Sequence, residues 1–229
     1  MIVDKVIEVP FSISDSERES INNTVETSIA LLSYVKPKLR TLVVPGNIED
    51  LPDEIPGGLF KATQTPEGTL YTSGGSGPGI QIESNIYTDL HTVALFKNIY
   101  DKVIKLHNDK TNETLPSYHH SWFFVNPPSE TESNFHDHSK FNSTFPHDVP
   151  LYTWTYYIQL PNNCKGTDGL LSFKEGSLVE TLDVKLDTIY IFPSNLLHQP
   201  NISPLSTVNR ITAAGNILIP ASENSLLSQ

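Results

Sequence analysis

The chain has 229 residues, 38% of them hydrophobic and 18% charged, with 17 prolines, a composition that favours one loop-rich, mainly β domain over a helical bundle. Its formal net charge of −11 argues against nucleic acid as a partner, and no apolar run approaches the ~20 residues that cross a membrane. Cys164 is the only cysteine and cannot form an intrachain disulfide, so we expect a soluble protein in the reducing cytoplasm.

An edge strand and a helix are predicted near the N-terminus. Apolar residues alternate from Lys5 to Ile13, which indicates a strand, and Pro10 restricts this strand to a sheet edge because proline cannot donate a ladder hydrogen bond. Helical spacing of apolar residues predicts a helix from Ser16 to Val35. Ser16 and Glu19 have the spacing of a capping box, so we expect the helix to begin there.

A glycine-rich segment and a second helix follow. Residues Ser73 to Gly79 lack the Gly-Lys-Ser/Thr ending of a phosphate-binding loop, so we expect an ordinary mobile loop or a lid. An apolar stripe predicts a helix from Thr88 to His107. His107 and Asp109 spell a His-x-Asp triplet, but at a helix end their side chains diverge by about 200°, so we do not expect them to be metal ligands.

The pattern changes after Leu115 to short extended runs separated by turn residues. The predicted strands are Tyr118 to Val125, Asn134 to His138, Tyr152 to Leu160, Leu170 to Phe173, Leu178 to Asp183, Thr188 to Phe192 and Val208 to Ile219, with a short one near His198. About eight antiparallel strands in two facing sheets make a jelly roll. The predicted fold is therefore mainly β with flanking helices, a cupin-like double-stranded β-helix.

We expect three segments along the chain. Residues 1–114 supply helices and strands that buttress the barrel, residues 115–220 form the double-stranded β-helix core, and residues 221–229 form a C-terminal tail. No internal repeat is visible.

Three histidines form the candidate metal site. In an extended strand the side chains of His136 and His138 point the same way, while Asp137 points to the other face. His198, from a distant strand, would complete a facial triad with open positions, the arrangement of non-heme iron oxygenases. The usual set is two histidines and one carboxylate, and His138 stands in the place of the carboxylate. Neutral imidazoles bind iron(II), zinc, copper or nickel, so ligand type alone does not name the metal.

Arg210 is the candidate anion clamp. It begins a predicted strand in which Arg210 and Thr212 share a face, and an arginine inside a barrel is costly unless an anion pairs with it. A dicarboxylate cosubstrate could be that anion, held bidentately by the guanidinium, with hydrogen bonds from the Thr212 hydroxyl and the Tyr157 phenol. The alternative is a surface arginine in an edge strand.

Five motifs in this order resemble one known family. They are His136-Asp137-His138, Tyr156 to Pro161, Gly166 with Gly169 to Phe173, Phe192-Pro193 with His198, and Arg210-Ile211-Thr212. Together they resemble the double-stranded β-helix core of the 2-oxoglutarate and iron(II)-dependent oxygenases, nearest to a phage and bacterial branch related to prolyl hydroxylases. The resemblance covers about residues 120 to 218, and residues 1–115 carry no family signature.

The resemblance implies a set of roles. His136 and His198 would be iron(II) ligands, His138 would stand at the position of the family's Asp or Glu, and Arg210 would hold the distal carboxylate of 2-oxoglutarate, with Tyr157 and Thr212 beside it. The family reaction is oxidative decarboxylation of 2-oxoglutarate to succinate and carbon dioxide, with molecular oxygen, coupled to hydroxylation of a C–H bond. The substrate would be a peptide, a protein or a small molecule, and the oligomeric state stays open.

The histidine at position 138 leaves three outcomes open. Three histidines can form a working site, a bulge can turn Asp137 inward as the ligand, or the site can hold a metal without turnover. Loss of the anionic ligand is expected to weaken iron(II) binding relative to softer competitors.

Two other functions are compatible with the same motifs. One is a cupin-like three-histidine metalloenzyme that does not use 2-oxoglutarate, in which Arg210 binds a substrate carboxylate or nothing. The other is a non-catalytic jelly-roll structural or binding protein, whose histidines only pack. We interpret His119 and His120 as structural, and His147 as part of a loop at the barrel mouth that is solvated or touches substrate.

Overall fold

The computed structural model describes residues 1–27, 61–65, 68–72, 80–83, 90–111, 118–128, 133–139 and 148–220. A short 3-10 helix spans Val3–Lys5, helix α1 covers residues 15–27, and helix α2 spans Leu90–Thr111. The strands are β1 (Ile7–Pro10), β2 (Lys61–Thr65), β3 (Gly68–Thr72), β4 (Ile80–Glu83), β5 (Tyr118–Asn126), β6 (Asp148–Gln159), β7 (Leu171–Glu175), β8 (Leu178–Leu182), β9 (Thr188–Pro193), β10 (Leu197–Pro200) and β11 (Arg210–Pro220).

Two antiparallel sheets make the jelly roll that the sequence predicts. The larger sheet has the order β1-β9-β6-β11-β5-β4, and the smaller has the order β10-β7-β8. An isolated antiparallel bridge between His136 and His198 adds one further pairing beside β10. Strand β1 lies at the edge of the larger sheet, as Pro10 predicts. The mainly β fold with flanking helices is confirmed.

Alternation along the strands divides the core into two layers. Side chains on successive strand residues point to opposite faces, so one face of the larger sheet packs against the helices and the other faces the smaller sheet. The helix-facing layer contains Ile21, Val25, Leu95, Ile99, Val103, Trp154, Tyr156, Ile158, Ile211, Ala213 and Ile217. The layer between the sheets contains Tyr157, Leu171, Phe173, Tyr190 and Phe192. Apolar burial on this scale is the main stabilising term of the fold.

Helix α1 is tied to an irregular point in β6. The register between β6 and β11 shifts near Ile158, which leaves backbone carbonyl groups without ladder partners. Arg18 donates from Nη1 to the carbonyl oxygens of Tyr157 (3.4 Å) and Ile158 (3.1 Å), and its Nη2 pairs with Asp187 at 2.7 Å. Arg18 therefore supports the segment of β6 that presents Tyr157 to the space between the sheets.

The first helix begins earlier than predicted. Ser14 forms the capping box: its backbone N–H donates to the Glu17 carboxylate at 2.8 Å, and the Glu17 N–H donates to Ser14 Oγ at 3.2 Å. The predicted box of Ser16 and Glu19 is therefore wrong, because the same Ser-x-x-Glu spacing two residues upstream takes its place. The predicted continuation over residues 28–35 lies outside the described residues.

The second helix ends later than predicted. It continues through Thr111, past the polar residues at which an end was expected. No glycine or proline interrupts it there, and the ion pair between Lys105 and Asp109 (2.7 Å) supports its last turns. The side chain of His107, in this helix, is buried, with Nδ1 3.2 Å from the Tyr152 hydroxyl. It does not form a metal-binding pair with Asp109. Within the described residues, no helix is long and apolar enough to cross a membrane.

The predicted strand from Asn134 to His138 is reduced to a single bridge at His136. After that bridge the backbone N–H of His138 donates to the carbonyl of Ser194 at 2.8 Å, so the segment does not continue to pair with β10. The seven other strands predicted after Leu115 are present, within a few residues of the predicted bounds.

The glycine-rich segment at 73–79 and His147 lie outside the described residues. The division of the chain at residue 114 stays a prediction.

The close packing around Gly215 in the larger sheet gives a stability prediction. A Cβ atom on Gly215 would lie 2.7 Å from Cζ2 of Trp154 and 2.8 Å from the carbonyl oxygen of His120. Because one of these neighbours is backbone, we expect Gly215→Ala to lower the free energy of unfolding by about 1–3 kcal/mol, measured by urea denaturation. An unchanged denaturation midpoint would show that β5 and β11 are farther apart at this point.

Candidate metal centre

Three histidines converge between the two sheets. His136 and His198 exchange two backbone hydrogen bonds, of 3.0 and 2.9 Å, which place their ring centroids 4.4 Å apart. His138 completes the cluster, with centroids 5.5 Å from His136 and 5.0 Å from His198. One ring nitrogen from each lies within 4.8 Å of the other two. The three side chains could therefore hold one metal ion.

The surroundings of each ring favour the tautomer that metal binding needs. In all three, the oxygen nearest to Nδ1 is only an acceptor, which favours a proton on Nδ1 and a lone pair on Nε2, and His138 Nδ1 also lies 3.2 Å from the Thr153 hydroxyl. The contacts are His136 with the Asn134 carbonyl at 3.1 Å, His198 with the Leu196 carbonyl at 2.9 Å, and His138 with Asn216 Oδ1 at 2.7 Å. Such outer partners fix the orientation of metal-bound histidines in known sites.

Burial keeps the three rings neutral. Desolvation lowers the pKa of His136, lowers the pKa of His138 to about 4, and lowers the pKa of His198 well below its usual value. The neighbouring histidines lower the pKa of His198 further, because one positive ring opposes another. At neutral pH all three rings are therefore in the form that binds a metal.

Asp137 lies on the outside of the cluster. Its side chain is exposed, and Oδ1 accepts hydrogen bonds from the backbone N–H (3.1 Å) and the hydroxyl (2.7 Å) of Ser139. This turn directs the carboxylate away from the rings, so the structure does not show the alternative in which Asp137 replaces His138.

Arg210 is buried on the inner face of β11. Only 4% of the residue is exposed, and Nη1 and Nη2 donate to Asn126 Oδ1 and the Tyr157 hydroxyl, each at 2.8 Å. Both acceptors are neutral, and among the described residues no acidic side chain pairs with the guanidinium. Arg210 is thus not a surface residue of an edge strand.

The register of β11 connects Arg210 with the histidines. Thr212, Ala214 and Asn216 follow Arg210 on the same face, and their cross-strand neighbours on β6 are Tyr157, Thr155 and Thr153, respectively. Four buried polar side-chain atoms on this inner face have no hydrogen-bond partner among the described residues. They are Thr155 Oγ1, Arg210 Nε, Thr212 Oγ1 and Asn216 Nδ2. These atoms can therefore bond to a bound ligand or to water.

Sequence reasoning overlooked three residues around the candidate site. Asn216 contacts the His138 ring. It lies six residues after Arg210 and therefore on the same face of the strand, so continuing the alternation past Thr212 would have predicted it as a site residue. Asn126 and Thr153 had no sequence signal, because only the register brings them next to their partners. His120 contacts the Trp122 ring at 5.2 Å and lies outside the cluster.

Several solved structures match this fold over most of the chain. A prolyl hydroxylase from Trichoplax adhaerens, in complex with a peptide fragment of the hypoxia inducible factor oxygen degradation domain, has 14% identity and a TM-score of 0.58, covering 100% of this chain and 92% of its own. The collagen prolyl hydroxylase of Paramecium Bursaria Chlorella virus-1, as its 2OG complex, has 14% identity and a TM-score of 0.55, with coverages of 94% and 96%. A prolyl-4-hydroxylase from Pseudomonas putida has 11% identity and a TM-score of 0.54, with the same coverages.

Comparison of the amino-acid sequence with known proteins finds no relative. No protein-family model matches the chain, and no curated protein matches it. At identities this low the structural likeness establishes the fold. The chain therefore has the jelly-roll fold of the 2-oxoglutarate and iron(II)-dependent oxygenases, as the resemblance of its motifs implied.

The cluster geometry gives a metal-binding prediction. We expect the protein to bind one Co(II) ion, read by competition with a chromophoric chelator. Loss of a residue that only supports a metal ligand weakens binding about 10- to 100-fold. His136→Ala removes a ligand itself, so it should weaken binding by more than this. Asp137→Asn is the matched control and should bind Co(II) like the wild type, since its carboxylate faces Ser139. A loss of binding in Asp137→Asn would instead identify Asp137 as a ligand.

Proposed function

We propose that the protein is a 2-oxoglutarate and iron(II)-dependent oxygenase that hydroxylates a C–H bond of a peptide or small molecule, with molecular oxygen as the oxidant. The observation that carries this proposal is the buried guanidinium of Arg210, which has no counter-charge among the described residues. Arg210 lies on the face of β11 that also leads to the three histidines.

The three histidines suit iron(II) as the resident metal. Their Nε2 atoms have lone pairs, and a facial set of three protein ligands leaves positions open on the opposite side of an ion. When bound, the metal would be held by the three imidazoles and would take up the keto acid cosubstrate. We assign His136, His138 and His198 as the metal ligands.

Arg210 suits the far carboxylate of a dicarboxylate. Placing a charge in the protein interior costs several kcal/mol unless a partner of opposite charge compensates it. The guanidinium has only neutral acceptors on Nη1 and Nη2, and Nε has no partner among the described residues. A carboxylate accepts paired N–H bonds from a guanidinium, which compensates both the charge and the unpaired donor.

The unpaired hydroxyls suit the same ligand. Thr212 Oγ1 is buried without a partner among the described residues, and Thr212 lies opposite Tyr157 in the β11 to β6 register. The Tyr157 oxygen already accepts from Arg210, so its own O–H is free to donate. We assign Thr212 and Tyr157 as further donors to the carboxylate that Arg210 holds, and Thr155 Oγ1 as a donor nearer the metal.

These residues divide the work between binding and orientation. Iron(II) with 2-oxoglutarate and oxygen supplies the oxidising chemistry, in which the keto acid becomes succinate and carbon dioxide and a C–H bond becomes hydroxylated. The histidines would hold the metal, and Arg210 would orient the keto acid through its far carboxylate. Aromatic rings pack against the cluster, with the Trp122 ring centroid 5.7 Å from that of His138 and the Phe192 centroid 4.8 Å from that of His198.

A peptide or a small molecule is proposed as the substrate. The Trichoplax prolyl hydroxylase with this fold was solved with a peptide, which supports the peptide class.

The anaerobic absorption spectrum tests the proposed function. With iron(II) and 2-oxoglutarate, the wild type should develop the weak visible charge-transfer band of a chelated keto acid. Arg210→Met should need at least about 30-fold more 2-oxoglutarate to reach half of this band, because truncating one partner of a buried charge pair costs about 2–5 kcal/mol. Its iron affinity should stay at the wild-type value, since no histidine is altered.

Two other results would overturn the proposal in different ways. Metal binding without any band would favour the cupin-like metalloenzyme that does not use 2-oxoglutarate. A protein that binds no metal after reconstitution would favour a non-catalytic jelly-roll module. Succinate formed under oxygen, without added substrate, reports turnover independently of the substrate's identity.

The charge of the third ligand gives a separate prediction. His138→Asp replaces a neutral ligand with an anion, so we expect iron(II) affinity equal to or tighter than that of the wild type. Chelator competition measures this affinity, and circular dichroism confirms the fold. Complete loss of iron binding by a folded His138→Asp variant would contradict the assignment of residue 138 as a ligand.

A further inference from the structure

We propose that Asn216 is the positioning residue that allows His138 to serve as a metal ligand where a carboxylate is the usual third ligand. The inference rests on the metal site of the proposed function and deepens it, because it explains how this chain accommodates its unusual third ligand.

An imidazole at this position has a requirement that a carboxylate does not have. The two oxygens of a carboxylate are equivalent, whereas an imidazole binds a metal only through the nitrogen that lacks a proton. The other nitrogen then carries the proton and, when buried, needs an acceptor. Replacing a carboxylate by His138 therefore creates a need for a second residue behind the ring.

The structure provides that acceptor in a different way for His138 than for the other two ligands. His136 and His198 each face the backbone carbonyl two residues earlier in their own segment, at 3.1 and 2.9 Å. His138 faces a side chain 78 positions away, and the 2.7 Å contact from Nδ1 to Asn216 Oδ1 is the shortest of the three. Thr153 Oγ1 on β6 also lies 3.2 Å from His138 Nδ1, so two side chains of the larger sheet hold this ring and Asn216 makes the shorter contact.

Asn216 is itself held in place. It is fully buried, and the Thr153 hydroxyl lies 3.0 Å from Asn216 Oδ1 and 3.2 Å from both Ser194 Oγ and His138 Nδ1. Ser194 also accepts the backbone N–H of His138 through its carbonyl, at 2.8 Å. In this arrangement the amide oxygen of Asn216 is the acceptor for both the Thr153 hydroxyl and the His138 ring.

A double-mutant cycle tests this role. The four proteins are the wild type, Asn216→Leu, His138→Asp and the double variant, and the measurement is the dissociation constant of Co(II) alone, by chelator competition. Asn216→Leu removes the acceptor and should weaken Co(II) binding about 10- to 100-fold. In the His138→Asp background no ring needs an acceptor, so the same change should alter affinity less than about threefold, within the spread of context effects for one contact.

Milder variants keep the test decisive if Asn216→Leu does not fold. Asn216→Asp retains the acceptor and should bind Co(II) at least as tightly as the wild type, because an anionic partner raises the basicity of the ring. Thr153→Val removes the hydroxyl that contacts both the Asn216 amide and the His138 ring, and should weaken binding by a smaller factor than Asn216→Leu, whose contact with the ring is shorter. The visible spectrum of bound Co(II) should change in Thr153→Val, which a purely structural role would not cause.

The outcomes separate this inference from the proposed function. Wild-type Co(II) affinity in Asn216→Leu, or an equal loss in both backgrounds, overturns the role of Asn216. Metal binding by the wild type without the keto acid band overturns the proposed oxygenase and leaves the role of Asn216 standing. A wild type that binds no metal overturns both.

Discussion

The strict alternation of side chains along β11 is the constraint on which the fold and the candidate site both depend. Outward residues such as Ile211 and Ile217 anchor the helices, while Arg210, Thr212 and Asn216 face the smaller sheet. A shift of one residue in this register would bury apolar groups where the site is and place a charge among the helices. The hydrophobic layer therefore fixes the position of the polar one, and the stability of the sheet and the geometry of the site are coupled.

Charge explains why the site should attract a dianion. Three neutral histidines leave the full charge of a divalent ion uncompensated, whereas a carboxylate ligand would neutralise half of it. The buried guanidinium of Arg210 adds a further positive charge in the same layer. In a protein whose formal net charge is −11, this interior is the exception, and its positive charge favours a dianionic ligand such as a dicarboxylate.

The sequence could predict the jelly roll and its motifs because strand periodicity and turn residues are local signals. It was wrong about the strand around His136, since a single bridge and the hydrogen bond from His138 to Ser194 fix that segment instead. The two rings do lie close together, but through these contacts and not through the strand alternation from which their convergence was predicted. Residues that act through pairing across strands, Asn126 and Thr153 among them, could not be identified, because a register is set by the whole sheet and not by the sequence near each residue.

A crystal structure of the protein grown without oxygen in Mn(II) and 2-oxoglutarate would test the central claim most directly, because Mn(II) occupies iron sites without turnover. We predict one ion bound by Nε2 of His136, His138 and His198, and a keto acid whose far carboxylate contacts Arg210. An ion bound elsewhere, or a guanidinium that keeps only Asn126 and Tyr157 as partners at saturating 2-oxoglutarate, would contradict it.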